Sequence, residues 1–263
     1  MVSNANEVLY EVRNDVITIT INRPDKRNAL NSGVLAGLNE CFDRAAYETG
    51  ARVIVLTGAG NKAFCAGGDL EQALLGDKPF LEMHNEKSAV PDLFIKMHSC
   101  PKPIIAAVKG RCLAGGVGLC LSCDVVIASE DAVFGQPEIN IGVWPYMVTA
   151  VLIRNVGRKK ALELCLTGEP ISATQAEQIG MVNKVVPKVK LEEEVENMAR
   201  KLSASSPAVL ALGKRSFYQV ADMDFCDALE FLRSQLTINT QLEDLKEGIA
   251  AFRDKRQPKW RGR

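Results

Sequence analysis

Apolar and polar positions alternate from Leu9 to Val12 and again from Val16 to Ile21, with Asn14-Asp15 between them. That period belongs to strands with one buried face, and the interruption supplies a turn, so the segment predicts a β-hairpin. From Asn31 to Ala46 the period changes: Val34, Leu35, Leu38, Phe42 and Ala45 recur at helical spacing, behind an Asn31 suited to cap the helix. Two unbroken apolar runs, Val53-Ile54-Val55-Leu56 and Ile104-Ile105-Ala106-Ala107-Val108, have the composition of buried strands, and Asp124 to Ala128 adds another. The stretch from Gly76 to Ser88 is polar and predicts a mobile loop, and Phe94 to His98 closes a helix before Pro101. Strand, turn, helix and strand thus repeat in the order of an α/β core.

From Met147 onward helices dominate, over residues 147–155, 158–166, 173–179, 190–204, 207–220 and 224 to about 253, with a short strand at 183–186. Residues 1–195 therefore read as the core, and 196–263 as a C-terminal helical region. Within the last helix Phe225, Leu229, Phe231, Leu232 and Leu236 fall on one stripe, more apolar surface than a thin layer needs. The pattern predicts self-association.

Bulk properties narrow the function classes. Apolar residues make up 47% of the 263 and charged residues 24%, ordinary for a globular protein. The 32 basic and 32 acidic residues cancel, which argues against nucleic-acid binding. No apolar run reaches the roughly 18 to 20 residues of a membrane span, and no basic-then-apolar leader opens the chain, so a cytoplasmic location is expected. Eight cysteines, several in apolar surroundings, read as reduced core thiols, Cys120 and Cys123 included. His84 and His98 have no partner at ligand spacing, so no metal site is expected and a Ser-His-Asp triad is poorly supported.

The candidate chemistry lies in two small-residue turns, Phe64-Cys65-Ala66-Gly67-Gly68-Asp69-Leu70 and Leu113-Ala114-Gly115-Gly116. Each follows one of the buried apolar runs and opens into what reads as a helix start. Backbone N–H groups at such a start have no partner within the helix and attract negative charge. Two turns aimed at one point would form an oxyanion hole for a thioester carbonyl as it becomes an enolate. Glycine pairs more commonly just make tight turns.

With Asn22-Arg23-Pro24-Asp25-Lys26-Arg27-Asn28-Ala29-Leu30-Asn31, Gly135-Gln136-Pro137-Glu138 and the segment from Thr167 to Val182 added to these turns, the chain resembles the enoyl-CoA hydratase/isomerase (crotonase) family over nearly its whole length. The resemblance implies a spiral of ββα units with a C-terminal helical layer, assembled as a trimer or a dimer of trimers. It implies an acyl-CoA substrate, with coenzyme A entering as part of that substrate and no separate cofactor. By position, Gly68 and Gly115 would supply the oxyanion N–H groups. Lys26, Arg27, Ala29, Leu30, Ala66, Asp69 and Leu70 would line the coenzyme A path, where point charges suit phosphate. Lys26 and Arg27 would equally suit a solvated basic turn.

Glu138 matches the family's proton-moving carboxylate. An ordinary glutamate titrates at about 4.3, and an apolar acyl pocket would raise that value toward neutral pH. Hydratases of the family carry a second glutamate three residues after the oxyanion glycine; here that position is Gly118, which can neither orient nor deprotonate a water. Double-bond isomerisation by one glutamate and non-standard hydration both stay open, with acyl-CoA hydrolysis, decarboxylation or a non-catalytic acyl-CoA-binding relative behind them. Trp144 and Tyr146 would shape the acyl end of the pocket or serve as ordinary core aromatics.

Overall fold

The hairpin forms as its alternation requires. Strand β1 (Val8–Arg13) pairs antiparallel with β2 (Val16–Ile21), placing Val8 opposite Ile21 and Arg13 opposite Val16. The two turn residues Asn14 and Asp15 take φ of 50° and 64°, the conformation that matches the twist of the flanking strands. Ile17, Ile19 and Ile21 point inward and are fully buried. The computed structural model describes residues 7–69 and 79–263.

From β2 the sheet continues through β3 (Val53–Gly58), β5 (Ile104–Val108), β7 (Val125–Ser129) and β10 (Lys184–Val186), all parallel to one another. Its apolar runs feed two cores by strict alternation. Ile54, Leu56, Ile104, Ala106, Val126 and Ala128 meet the Ser32–Tyr47 and Ala89–Ser99 helices, which bury Val34, Leu38, Phe42, Leu93, Phe94 and Met97. Val53, Val55, Ile105, Ala107 and Ile127 meet Leu191, Val195 and Ala199 of the Leu191–Ser203 helix. That helix is continuous, so a boundary between residues 195 and 196 falls inside it.

A second, smaller sheet holds β4 (Ala63–Cys65), β6 (Arg111–Leu113) and β8 (Val133–Gly135) in parallel, with β9 (Ile171–Ser172) antiparallel at its edge. The glycine turns leave β4 and β6, and so do not directly follow the long apolar runs as the sequence suggests. Three-residue strands are too short to show a period. Two further expectations are corrected. Phe80–Glu86 is a helix where a loop is expected through Ser88, and it buries no residue, which is why its pattern carries no apolar stripe; residues 76–78 lie outside the described residues. The single helix over 224–253 is two, Phe225–Asn239 and Glu243–Arg253, and the first also buries nothing.

Candidate functional site

Strands β4, β6 and β8 lie side by side in parallel, with a register shift between Ala63 and Cys65, Cys65 opposite Cys112 and Cys112 opposite Phe134. Their carboxyl ends therefore release Ala66-Gly67-Gly68, Ala114-Gly115 and Gln136-Pro137-Glu138 on the same side of the small sheet, where open parallel sheets place their ligands. The turns touch. A Cβ on Gly67 (φ +96°) would lie 2.5 Å from the Ala114 Cβ, and a Cβ on Gly115 would lie 3.9 Å from the Gly68 nitrogen. At residue 67 only glycine permits that approach. Ala114 itself is held at φ 53°, ψ −129°, backbone space that disfavours a Cβ, and its N–H donates to the Gly135 carbonyl at 2.9 Å. Among the described residues, neither the Gly68 nor the Gly115 N–H donates to a protein acceptor.

The first turn is strapped to the segment after the hairpin. Leu30 N–H donates to Gly67 O at 2.8 Å, Asp69 N–H to Leu30 O at 2.8 Å, and Ala66 N–H to Arg27 O at 3.1 Å. Two residues missed at the sequence level hold this strap. Asn28 is fully buried, and its amide donates to the Ala59 and Ala63 carbonyls at 3.0 and 2.7 Å. Arg23 donates to Ala29 O at 2.7 Å and pairs with Asp69 at 3.2 Å and Glu7 at 3.1 Å. Both belong to the Asn22–Asn31 motif, so their unusual polarity there was the available signal. Lys26 and Arg27 are exposed, Ala29, Ala66 and Asp69 half-buried, and Leu30 buried against Gly115. Leu70 lies outside the described residues.

Glu138 sits on the Pro137–Ile141 turn with one carboxyl oxygen buried and without a hydrogen-bond partner among the described residues. Burial raises its pKa above the usual glutamate value, opposed by a hydrogen bond from its own backbone. Two residues earlier, Gln136 is 1% exposed and neither of its amide atoms has a partner. A buried polar group left so costs about 1–3 kcal/mol, which a bound polar group or water would recover. Gln136 was not singled out in the sequence, where nothing distinguishes it from a strand-end residue. Trp144 is half-buried, and its Nε1–H donates to Thr149 Oγ1 at 3.1 Å. Thr149 Oγ1 in turn donates to the Pro145 carbonyl at 2.9 Å. Tyr146 is 74% exposed at the start of its helix.

Gly118 is the informative position. A Cβ there would lie 2.6 Å from Phe94 Cζ, 3.0 Å from Phe94 Cε2 and 3.1 Å from Val148 Cγ2. The volume that a second carboxylate would need is already filled by an aromatic ring and a methyl group.

Behind the turns Cys65, Cys112, Cys120 and Cys123 are buried and unpaired in disulfides. Burial pushes the Cys65 thiol up to about 12 and holds Cys112 and Cys123 well above the ordinary value, so these sulfurs pack as neutral groups. Among the described residues no cluster of three or more His, Cys, Asp or Glu could hold a metal ion. Nor is any described helix long and apolar enough to cross a membrane.

Over residues 11–263 the chain matches the family model described as enoyl-CoA hydratase/isomerase. It is 37% identical over 259 residues to the 2,3-dehydroadipyl-CoA hydratase of Escherichia coli (strain K12), spanning 98% of this chain and 100% of that protein. To the mitochondrial enoyl-CoA hydratase domain-containing protein 3 of Homo sapiens it is 35% identical over 243 residues, 92% of this chain and 79% of that one. A solved enoyl-CoA hydratase from Mycobacterium smegmatis matches with a TM-score of 0.92 at 35% identity, over 97% of this chain and 98% of that one. The chain therefore belongs to the enoyl-CoA hydratase/isomerase family, has the crotonase fold and is an enzyme that processes acyl-CoA.

Proposed function

We propose that the enzyme moves a double bond within an enoyl-CoA thioester, with Glu138 as its single proton carrier. The Glu138 carboxylate takes a proton from C2 of a 3-enoyl thioester, and the electron pair delocalises onto the thioester oxygen. The N–H groups of Gly68 and Gly115 hold that oxygen as charge develops, the kind of contribution that weighs most in enolate chemistry. Glu138 then returns the proton to C4, leaving the 2-enoyl product. A carboxyl with a raised pKa suits both halves of the transfer. Lys26 and Arg27 meet the coenzyme A phosphates, while Ala29, Leu30, Ala66 and Asp69 line its path and no further cofactor takes part.

One observation carries this reading: the packing of Phe94 and Val148 into the space beside Gly118, which leaves no room for a second carboxylate. A different observation favours a second reading. The unpartnered amide of buried Gln136 could hold a water beside Glu138, giving hydration by one carboxylate. The same proposal takes the enzyme to be a homo-oligomer, a trimer or a dimer of trimers, joined through the C-terminal helices. Phe225, Leu229 and Leu236 of a helix that buries nothing support it, each more than half exposed.

The test is a paired assay with a 2-enoyl-CoA and a 3-enoyl-CoA, the products separated by mass and retention time. Conversion of the 3-enoyl compound without gain of mass supports isomerisation. Water gain on the 2-enoyl compound overturns it in favour of the Gln136 reading. Silence on both, with acyl-CoA still bound, points to a specialised acyl group or a lost activity.

A further inference from the structure

We propose that Phe94 is the residue that sets the reaction's outcome, by closing the acyl chain's surroundings to water beside Gly118. The inference rests on the single-carboxylate reading above. Gly115 and Gly118 lie three residues apart on one face of the Gly115–Leu121 helix, and such positions are neighbours. Beyond Gly115 stand Leu30 and the Gly68 turn; beyond Gly118 stand Phe94 and Val148. The wall that begins at the oxyanion turns therefore continues directly onto the Phe94 ring. It then passes to Val148, whose neighbour Thr149 accepts from the Trp144 Nε1–H at 3.1 Å.

A water poised to add to C3 needs space of about 30 Å³ and two to four polar partners. At this point of the wall the ring takes the space, and ring carbons and a valine methyl are the nearest surfaces. Phe94 comes from a different helix, Ala89–Ser99, and is 6% exposed, so the ring is held by the core behind it. A glycine at 118 is what allows the ring to advance, and the two residues act as a pair.

The experiment compares wild type, Phe94→Leu, Phe94→Gln and a control, Phe42→Leu, on 2-enoyl-CoA and 3-enoyl-CoA in ¹⁸O-labelled water. The control removes a fully buried ring from the same core without touching the atoms nearest Gly118. The readout is the ratio of ¹⁸O-hydroxyacyl-CoA to isomerised product, which a loss of stability alone does not change. Wild type is expected to incorporate no label. The ratio is expected to rise to at least about tenfold above the detection limit in Phe94→Gln, which supplies both space and polar partners, and less in Phe94→Leu, which keeps most of the apolar volume should the glutamine variant fail to fold; Phe42→Leu is expected to leave it unmoved. An unchanged ratio in folded Phe94 variants that still isomerise overturns the proposal, as does an equal rise in the control. Label taken up by wild type is a separate failure, that of the single-carboxylate reading, and is seen before any variant is made.

Discussion

The two sheets of this molecule divide its labour. The large sheet is built from five- and six-residue strands with one three-residue edge, and its alternate side chains fill two separate cores. It contributes none of the proposed catalytic groups. The small sheet has strands of two or three residues and a modest interior, yet each of its three parallel strands ends in one part of the site. Burial of continuous apolar runs gives the first sheet its stability. The second gains its precision from close approach: glycine against alanine at the two turns, and glycine against phenylalanine at residue 118. Stability and reactivity thus rest on different residue types, and substitutions in the two sheets should separate them.

The largest effect is expected at the end of the small sheet. Glu138→Gln should lower turnover by about 10² to 10⁴, the usual worth of a positioned general base, while the isotherm for acyl-CoA binding stays unchanged. In the large sheet the fully buried Leu56 tests the other half of the comparison. Leu56→Ala should cost about 2–5 kcal/mol in denaturant unfolding, with the rate per folded molecule preserved; a rate that falls with stability would break the division.

Gly67→Ala should act in the opposite sense. Its φ of +96° and the 2.5 Å approach to Ala114 force the turn to move, so kcat should drop by about 10² to 10³ through a mis-aimed oxyanion donor. Folding cooperativity should be kept. The smallest effect concerns pH. Burial raises the pKa of Glu138 above that of an unfolded glutamate, so between the two the folded state binds the proton more tightly than the unfolded chain. Stability from this group is therefore lost as pH rises through that window. Melting curves of Glu138→Gln should lack that loss and sit above wild type at neutral pH.

Much of this was legible in the sequence, for reasons that are local. The hairpin follows from strict alternation and a turn pair able to take positive φ. Strands β3 and β5 follow from runs so apolar that they must be buried on both faces. Both glycine turns could be named from residue type and order, while Glu138 and the bare position at Gly118 came from the resemblance to the family. Where a segment buried nothing, as in Phe80–Glu86, its pattern carried no signal and the expectation failed.

By itself, then, the sequence determined the element types wherever burial imposed a period, and the family. Only the tertiary structure decided how the groups of the site meet. The register that sets Cys65 beside Cys112 brings the two turns into contact. The strap through Arg23 and Asn28 holds one of them in place. Phe94 fills the space beside Gly118 from another helix. Each is a contact between residues distant in the chain, and such contacts arise from register and packing, which no local propensity encodes.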